Sequence, residues 1–222
     1  MEYGYGNWFI VIMVSGLFLV FTYEAFKPKT KIDWRSFGAF SAFIIALFTE
    51  MYGFPLTIYL LSSWFGSRFP QINFSHNSGH LWEDLLGNTG DPHFSFLHIL
   101  SSVLIIAGLI LISVSWEKLY QATKQQTIAS TGPYKYIRHP QYVGFVIIIL
   151  GFLMQWPTLP TLIMAPILTV MYLRLAKKEE KDILQKYPAY QDYLKKTPAF
   201  FPSVKLLLHN VVSFVVYFLT GS

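Results

Sequence analysis

The residues that decide the fold are Gln155-Trp156-Pro157-Thr158-Leu159-Pro160, which interrupt an apolar run from Val143 to Ala176. A membrane helix needs about 20 apolar residues to cross a hydrocarbon core of about 30 Å, so this run is too long for one straight span. Two prolines so close together remove backbone donors and end a helix. We therefore predict a tight helical hairpin, with one arm ending at Trp156 and the other running from Thr161 to Ala176.

Three more apolar segments precede the hairpin, from Trp8 to Phe26, from Phe37 to Leu61 and from Phe94 to Trp116. The composition agrees, because 53% of the 222 residues are hydrophobic and only 13% are charged. An average soluble domain has about 25% charged residues. These numbers exclude a disordered chain, a coiled coil and an ordinary water-soluble enzyme. The absence of cysteine excludes a disulfide-stapled module, thiol catalysis and zinc-thiolate sites.

We predict an all-α integral membrane protein, a five-span helical bundle with a cytoplasmic amphipathic lid helix. It forms a single transmembrane domain over 1–222, with three spans in 1–116 and, in 131–202, a core that contains most of the polar motifs. The tail at 203–222 is apolar but is interrupted by His209-Asn210. It is either an interfacial helix or a sixth span.

Basic residues predict the orientation. The 17 Lys and Arg side chains cluster after the first span, after the third span and after the hairpin, whereas the loop 62–93 contains only Arg68. By the positive-inside rule, this loop and the N-terminus lie outside and the active site faces the cytoplasm. The net charge of +5 therefore indicates topology and contact with anionic membrane lipids, and requires no nucleic-acid partner.

A first polar cluster stands immediately before the hairpin, from Thr131 to Gly144. Gly132-Pro133 is typical of a turn, and Pro140 fits the first turn of a helix, where a missing N–H costs nothing. Arg138 and His139 are thereby placed at a helix N-terminus, where positive dipole and guanidinium favour an anion. The alternative is an interfacial anchor, since such side chains favour the headgroup level.

A second polar cluster follows the hairpin and contains Arg174 and the adjacent pair Glu179-Glu180. Because a hairpin returns the chain to the same side, we expect this cluster to lie against the first. The two carboxylates can hold a cationic group, or they can belong to a solvated helix with Glu–Lys pairs. Three tyrosines further along, Tyr187, Tyr190 and Tyr193, are predicted to pack a lid onto the bundle, with contact to an adenine ring as a secondary role.

Two features fall outside these clusters. Glu50 lies within the second span, where a charge costs several kcal/mol, so we predict a functional role for it. It would line the cavity of a substrate or contact the headgroup of that substrate. The alternative is a protonated or hydrogen-bonded structural glutamate. In the outer loop, His76, His80 and Glu83 have a helical metal-ligand spacing, but Asn77-Ser78-Gly79 is a poor helix former. We predict a structural loop there and no metal site.

The ordered set of motifs from Gly132 to Pro202 resembles the isoprenylcysteine carboxyl methyltransferase and phospholipid methyltransferase family. The matching features are the Gly-Pro-Tyr turn at Tyr134, the run Arg138-His139-Pro140-x-Tyr142-x-Gly144, the proline-broken hairpin, Arg174 followed by Glu179-Glu180, and Tyr190-x-x-Tyr193. The resemblance covers about a third of the chain, and no signature of the family was identified in the upstream 90 residues.

This resemblance implies S-adenosylmethionine as the methyl donor, S-adenosylhomocysteine as the product and a lipophilic acceptor that enters from the bilayer. The sequence agrees in lacking Gly-x-Gly-x-x-Gly. Glu179 or Glu180 suits the ammonium of the cofactor, and Arg138, His139 or the helix N-terminus at Pro140 suits its carboxylate. Further residues implied to contact the cofactor are Tyr134, Tyr142, Gly144 and Tyr190.

For the reaction itself, the resemblance implies Arg174 beside the substrate and Glu179 on the cofactor. If the acceptor is an amine, His139 or a glutamate serves as the base, and a carboxylate acceptor requires none.

Two other functions are compatible with the sequence. Membrane sterol reductases, which use NADPH, have a similar Arg-His-Pro segment and an ending like Lys186-Tyr187 with Tyr193, but they typically have more spans. A non-catalytic membrane protein that retains the fold is the third possibility.

Overall fold

The computed structural model describes residues 5–65, Trp82 and residues 95–203. Within these ranges the regular structure is helical. The α-helices are α1 (Trp8–Phe26), α2 (Lys31–Phe48), α3 (Leu56–Phe65), α4 (Phe96–Lys124), α5 (Pro140–Gln155), α6 (Leu159–Lys186) and α7 (Tyr190–Lys196). A π-helical turn at Thr49–Gly53 continues α2, and a 3-10 turn at Gly132–Lys135 precedes α5.

Four of the described helical segments are long and apolar enough to cross a membrane: Trp8–Phe26, Lys31–Gly53, Phe96–Lys124 and Leu159–Lys186. The predicted class of all-helical membrane protein is therefore confirmed at that level. The first arm of the predicted hairpin, α5, is apolar but has only 16 residues, about 24 Å of helix. The five-span count thus stays a prediction, as does the orientation, and the outer-loop histidines and the tail at 204–222 lie outside the described residues.

The proline-containing stretch separates α5 from α6, as predicted, but α6 begins earlier and extends further than expected. It starts at Leu159 because the Thr158 hydroxyl caps the helix and Pro160 occupies the first turn, where proline is tolerated. It then continues past Ala176 to Lys186. The apolar second arm and the polar last turns, which carry the two glutamates beyond the apolar run, are therefore one continuous helix.

The second predicted span is divided. The helix of α2 ends in the π-helical turn, Phe54 adopts an extended conformation, and α3 begins only at Leu56. The predicted apolar segment from Phe37 to Leu61 is therefore interrupted where Gly53 and Pro55 predict a kink, because Pro55 lacks the backbone donor that a continuing helix needs, and the candidate span is Lys31–Gly53.

Close approach of α4 and α5 organises the second half of the bundle. A Cβ atom added to Gly144 would lie 2.6 Å from Ile112 Cγ1 and 3.0 Å from the Gly108 carbonyl oxygen. Such distances leave no room for a side chain, so the two helix backbones meet there as small residues permit in membrane bundles.

An aromatic core joins the two halves of the bundle. Phe40, Phe145 and Tyr172, from α2, α5 and α6, are fully buried. The rings of Phe40 and Phe145 lie 4.9 Å apart, and those of Phe145 and Tyr172 lie 5.5 Å apart. This core fixes the end of the bundle where α5 starts, α4 ends and the last turns of α6 project.

Candidate functional site

The Arg138-His139 corner is built by the chain segment that follows α7. The backbone N–H of Arg138 donates to the carbonyl of Pro198 at 2.9 Å, and that of His139 donates to the carbonyl of Ala199 at 3.1 Å. His139 is the N-terminal cap residue of α5, with Pro140 in the first turn. The predicted placement of Arg138 and His139 at a helix N-terminus is therefore observed.

Arg138 joins three elements through its guanidinium. Its Nε donates to Glu180 Oε1 at 2.8 Å, and its Nη1 donates to the carbonyls of Leu194 and Thr197 at 3.0 and 2.7 Å. The two carbonyls belong to the end of α7, where a cation is favourable. We call this set of contacts the Arg138 latch, because it ties α6 and α7 to the start of α5.

The two neighbouring glutamates have different surroundings. Glu180 Oε1 accepts from Arg138 and lies 2.8 Å from His139 Nε2. Glu179 Oε1 accepts from the Tyr142 hydroxyl at 2.5 Å, and its Oε2 accepts a longer bond from Gln141 Nε2 at 3.5 Å. Glu180 is thereby committed to the latch, whereas Glu179 is held from one side by the first turn of α5.

His139 lies between the two carboxylates and is 3% exposed. Its Nδ1 is 3.6 Å from Glu179 Oε2 and is a buried nitrogen without a hydrogen-bond partner among the described residues. Burial alone lowers the pKa of His139, but the neighbouring carboxylates of Glu179 and Glu180 outweigh it and raise the pKa above its usual value.

A cavity of about 460 Å³ opens at this corner. Its volume lies within the range typical of small-molecule sites, about 300–1,000 Å³. The polar wall contains Tyr134, Arg138, His139, Gln141, Glu179 and Asp182. The clusters that flank the hairpin, some 40 residues apart in sequence, thus meet in one cavity, as the hairpin predicts.

The opposite wall comes from the first half of the chain and the end of α4. Trp116, Leu119, Tyr120 and Thr123 line the cavity at positions i, i+3, i+4 and i+7, which form one helical stripe. Ile32 and Asp33, from the first turn of α2, complete this wall.

Three tyrosines from the end of α6 and from α7, the helix predicted as a lid, form a further part of the cavity lining. Tyr187, Tyr190 and Tyr193 line it, and the rings of Tyr190 and Tyr193 lie 5.4 Å apart. The Tyr193 hydroxyl donates to the carbonyl of Tyr134 at 2.5 Å. Burial raises the pKa of Tyr193 to about 12, against the opposing effect of Arg138, so this hydroxyl keeps its proton at neutral pH.

Five of the predicted site residues line the cavity: Tyr134, Arg138, His139, Glu179 and Tyr190. The others do not. Pro140 is buried in the first turn of α5, Glu180 belongs to the latch, and Tyr142 donates to Glu179 without lining the cavity. Gly144, expected beside the cofactor, instead packs against α4, because its missing side chain makes room for Ile112.

Arg174 lies on a different face of α6. Its side chain is exposed and does not line the cavity. Five residues separate it from Glu179, which turns it about 140° around the helix axis. The predicted approach of Arg174 to the reacting groups is therefore not reproduced, and its role beside the substrate stays a prediction.

Glu50 is also distant from the cavity. Asp33 lines the cavity from the first turn of α2, and the 17 residues from there to Glu50 extend about 25 Å along the helix. Glu50 is buried, and its Oε2 accepts from the Thr57 backbone N–H at 3.0 Å. The Thr57 hydroxyl accepts in turn from the N–H of Leu159. Of the two predicted roles, this geometry favours the hydrogen-bonded structural glutamate over a residue of the cavity wall.

Sequence reasoning missed the cavity wall formed by α2 and α4. One signal was available: Thr30 and Asp33 form a capping box, in which Asp33 Oδ2 accepts from the Thr30 N–H at 2.7 Å and the Thr30 hydroxyl accepts from the Asp33 N–H. That pattern predicts the helix start. Nothing local to Trp116 or Leu119 distinguishes a cavity stripe from an ordinary packing stripe.

A comparison with known protein families finds a match for part of the chain. Residues 95–185 match the model of the isoprenylcysteine carboxyl methyltransferase (ICMT) family. The match includes α4, α5 and most of α6, and therefore begins upstream of the motifs recognised in the sequence. No solved structure matches the chain.

Two curated relatives are similar over about 115 residues. One is the cobalt-zinc-cadmium resistance protein CzcN of Cupriavidus metallidurans, 31% identical over 48% of this chain and 52% of the relative. Another is the nickel-cobalt-cadmium resistance protein NccN of Alcaligenes xylosoxydans xylosoxydans, 33% identical over 48% of this chain and 54% of the relative. The chain thus spans about half the length of these relatives. The match to the isoprenylcysteine carboxyl methyltransferase family covers less than half of the chain, and residues 95–185 contain both the Arg138-His139 corner and the two glutamates.

Proposed function

We propose that this chain is an integral-membrane methyltransferase that transfers a methyl group from S-adenosylmethionine to a lipophilic carboxylate, amine or thiol. The observation that carries the proposal is the shared cavity, in which Glu179 and His139 from the two sides of the hairpin face the apolar stripe of α4. A membrane methyltransferase is the activity expected of the matched family. We infer the cofactor and the acceptor from the family resemblance, and the residues of the cavity support that inference.

The residues of the cavity fit the cofactor. Glu179 presents a carboxylate, 18% exposed, that can receive an ammonium group. The buried Nδ1 of His139 is a further polar atom available for a ligand. Positive charge for a ligand carboxylate comes from Arg138, Lys29 and Lys186, all of which line the cavity.

The tyrosine wall suits the adenosine part of the cofactor. The pair Tyr190 and Tyr193, with Tyr187, offers aromatic faces against which a planar base can stack. The Arg138 latch holds these side chains in place through the end of α7. Contacts within the protein therefore hold the tyrosine side chains at the cavity.

When bound, the cofactor supplies an electrophilic methyl group: the acceptor nucleophile forms a bond to the methyl carbon as the carbon–sulfur bond breaks, leaving S-adenosylhomocysteine. The protein contributes alignment and the exclusion of water. Its apolar stripe, with Trp116 and Leu119, suits the hydrocarbon of the acceptor. We propose that the acceptor enters from the bilayer and that the cavity faces the cytoplasm.

The raised pKa of His139 bears on the choice of acceptor. An imidazole that stays protonated between two carboxylates offsets their repulsion and is a proton donor. It accepts a proton from an amine or thiol only above its raised pKa. A carboxylate acceptor, which needs no base, avoids this restriction.

The decisive experiment uses the purified full chain in lipid nanodiscs, methyl-labelled S-adenosylmethionine and a total membrane lipid extract as acceptor. We expect label in the organic phase, and its loss with Glu179→Gln. Saturable binding of NADPH without label transfer would favour the reductase alternative. Binding of neither cofactor would favour a non-catalytic membrane protein.

The names of the two relatives state resistance to cobalt, zinc, cadmium or nickel for those proteins. In residues 5–65, 82 and 95–203, no group of three or more His, Cys, Asp or Glu side chains is arranged to hold a metal ion.

A further inference from the structure

A buried tyrosine hydroxyl orients one member of the glutamate pair. Tyr142 is 2% exposed and lies in the first turn of α5, in contact with Glu179. Its hydroxyl donates to Glu179 Oε1 at 2.5 Å, a length typical of an O–H bond to a carboxylate. Tyr142 itself does not line the cavity.

The ring of Tyr142 cannot move freely. It stacks on Tyr172 at 5.5 Å between centroids and on His139 at 5.9 Å. Its hydroxyl position is therefore determined by packed aromatic neighbours. A carboxylate that is fixed by such a hydroxyl loses less conformational entropy when it binds a ligand than a free glutamate does.

A second side chain from the same helical turn contacts the other oxygen of Glu179. Gln141 Nε2 donates to Glu179 Oε2 at 3.5 Å, and Gln141 Oε1 accepts from the Tyr134 hydroxyl at 3.1 Å. Both Gln141 and Tyr134 are buried. The first turn of α5 thus contacts both oxygens of Glu179, whereas Glu180 belongs to the latch.

We infer that Tyr142, assisted by Gln141, is a positioning residue that orients the Glu179 carboxylate to receive an ammonium group in the cavity. This inference rests on the proposed function, because it takes the ammonium of S-adenosylmethionine or S-adenosylhomocysteine as the cation. The two glutamates then have separate roles, since Glu179 binds the ligand and Glu180 holds the lid.

The test compares two tyrosines of the same aromatic stack. Tyr142→Phe removes the hydroxyl that contacts Glu179. The matched control Tyr172→Phe removes a neighbouring hydroxyl, which donates a long bond of 3.5 Å to the Ser36 carbonyl. Affinity for S-adenosylhomocysteine is measured by calorimetry on the full chain, beside the melting temperature of each variant.

We expect Tyr142→Phe to weaken binding about tenfold, the effect of losing a hydrogen bond to a charged group, and Tyr172→Phe to change it less than about twofold. In a background of Glu179→Gln, Tyr142→Phe should add no further loss, since a residue that acts through another is non-additive with it. In turnover, the KM for S-adenosylmethionine should rise while kcat at saturation stays nearly constant.

Equal affinities of the two phenylalanine variants would overturn the inference while leaving the proposed function intact. A full additional loss in the Glu179→Gln background would also overturn it. If Tyr142→Phe cannot be purified, Gln141→Leu tests the second contact, with an expected weakening of about threefold and refutation if affinity is unchanged. No binding to the wild-type chain would overturn the proposed function and this inference together.

Discussion

The Arg138 latch makes a prediction that can be tested without any ligand. Arg138→Gln removes the guanidinium, whose positive charge and N–H donors join Glu180 to the carbonyls of Leu194 and Thr197. The side chains of Arg138 and Glu180 are 15% and 18% exposed, so their pairing is largely shielded from water. Breaking a buried pair of this kind costs about 3–5 kcal/mol, and the residual exposure places our expectation near the lower limit, about 3 kcal/mol.

The loss of stability should be concentrated in α7. If α7 opens locally, the population of the open state rises by about a hundredfold for 3 kcal/mol, and proteolysis rises with it. The exposed Lys195 and Lys196 at the end of α7 are trypsin sites. The assay is the rate of tryptic cleavage there under native conditions, followed by mass spectrometry.

A matched control is Arg35→Gln, because Arg35 is exposed and makes no ion pair among the described residues. We expect its cleavage rate at Lys195 and Lys196 to equal that of the wild type. A rate for Arg138→Gln within about twofold of the control would refute the latch.

Further predictions concern the packing of Gly144, the pH dependence of stability and the role of Glu50. Gly144→Ala should lower the melting temperature in detergent and destabilise the protein by about 1–3 kcal/mol, because its Cβ would lie 2.6 Å from a side-chain carbon of α4. The control Gly38→Ala, which has open space around the added Cβ, should not lower it. Equal melting temperatures of the two variants would contradict the packing of Gly144 against α4. The pKa of His139 is raised from 6.5, so its contribution to stability is complete below that value and is lost as pH rises through the raised pKa. Melting temperature should therefore fall as pH rises above 6.5, and a curve that keeps rising at alkaline pH would contradict the cluster. Glu50→Ala should destabilise the protein by about 1–3 kcal/mol through the unpaired N–H of Thr57 while leaving the KM for the lipophilic acceptor unchanged; a raised KM for the acceptor would restore its predicted substrate role.

The local features of the site could be predicted from the sequence because they depend on short-range chemistry. Pro157 and Pro160 end one helix and begin the next, and Pro140 places His139 at a helix start. From the hairpin it followed that the Arg138-His139 corner and the glutamates lie on the same side. These predictions required only the positions of residues without a backbone donor and the lengths of the apolar segments.

The other features depend on the rotation and packing of whole helices. Adjacent residues on α6 differ by about 100° in direction, so only the packing of α6 decides that Glu179 faces the cavity and Arg174 does not. The same limit applies to Gly144, whose partner Gly108 stands on another helix. Trp116 joins the cavity wall through tertiary contacts that no local pattern contains.

The central claim is that Glu179 binds the cationic group of the cofactor, and calorimetric titration of the full chain with S-adenosylhomocysteine tests it most directly. We expect saturable one-to-one binding by the wild type, weakened by about tenfold to a hundredfold in Glu179→Gln, as for a lost charge-assisted contact. The control Glu24→Gln, which removes an exposed carboxylate at the end of α1, should bind as the wild type does. Unchanged affinity in Glu179→Gln, or no binding by the wild type, would contradict the account.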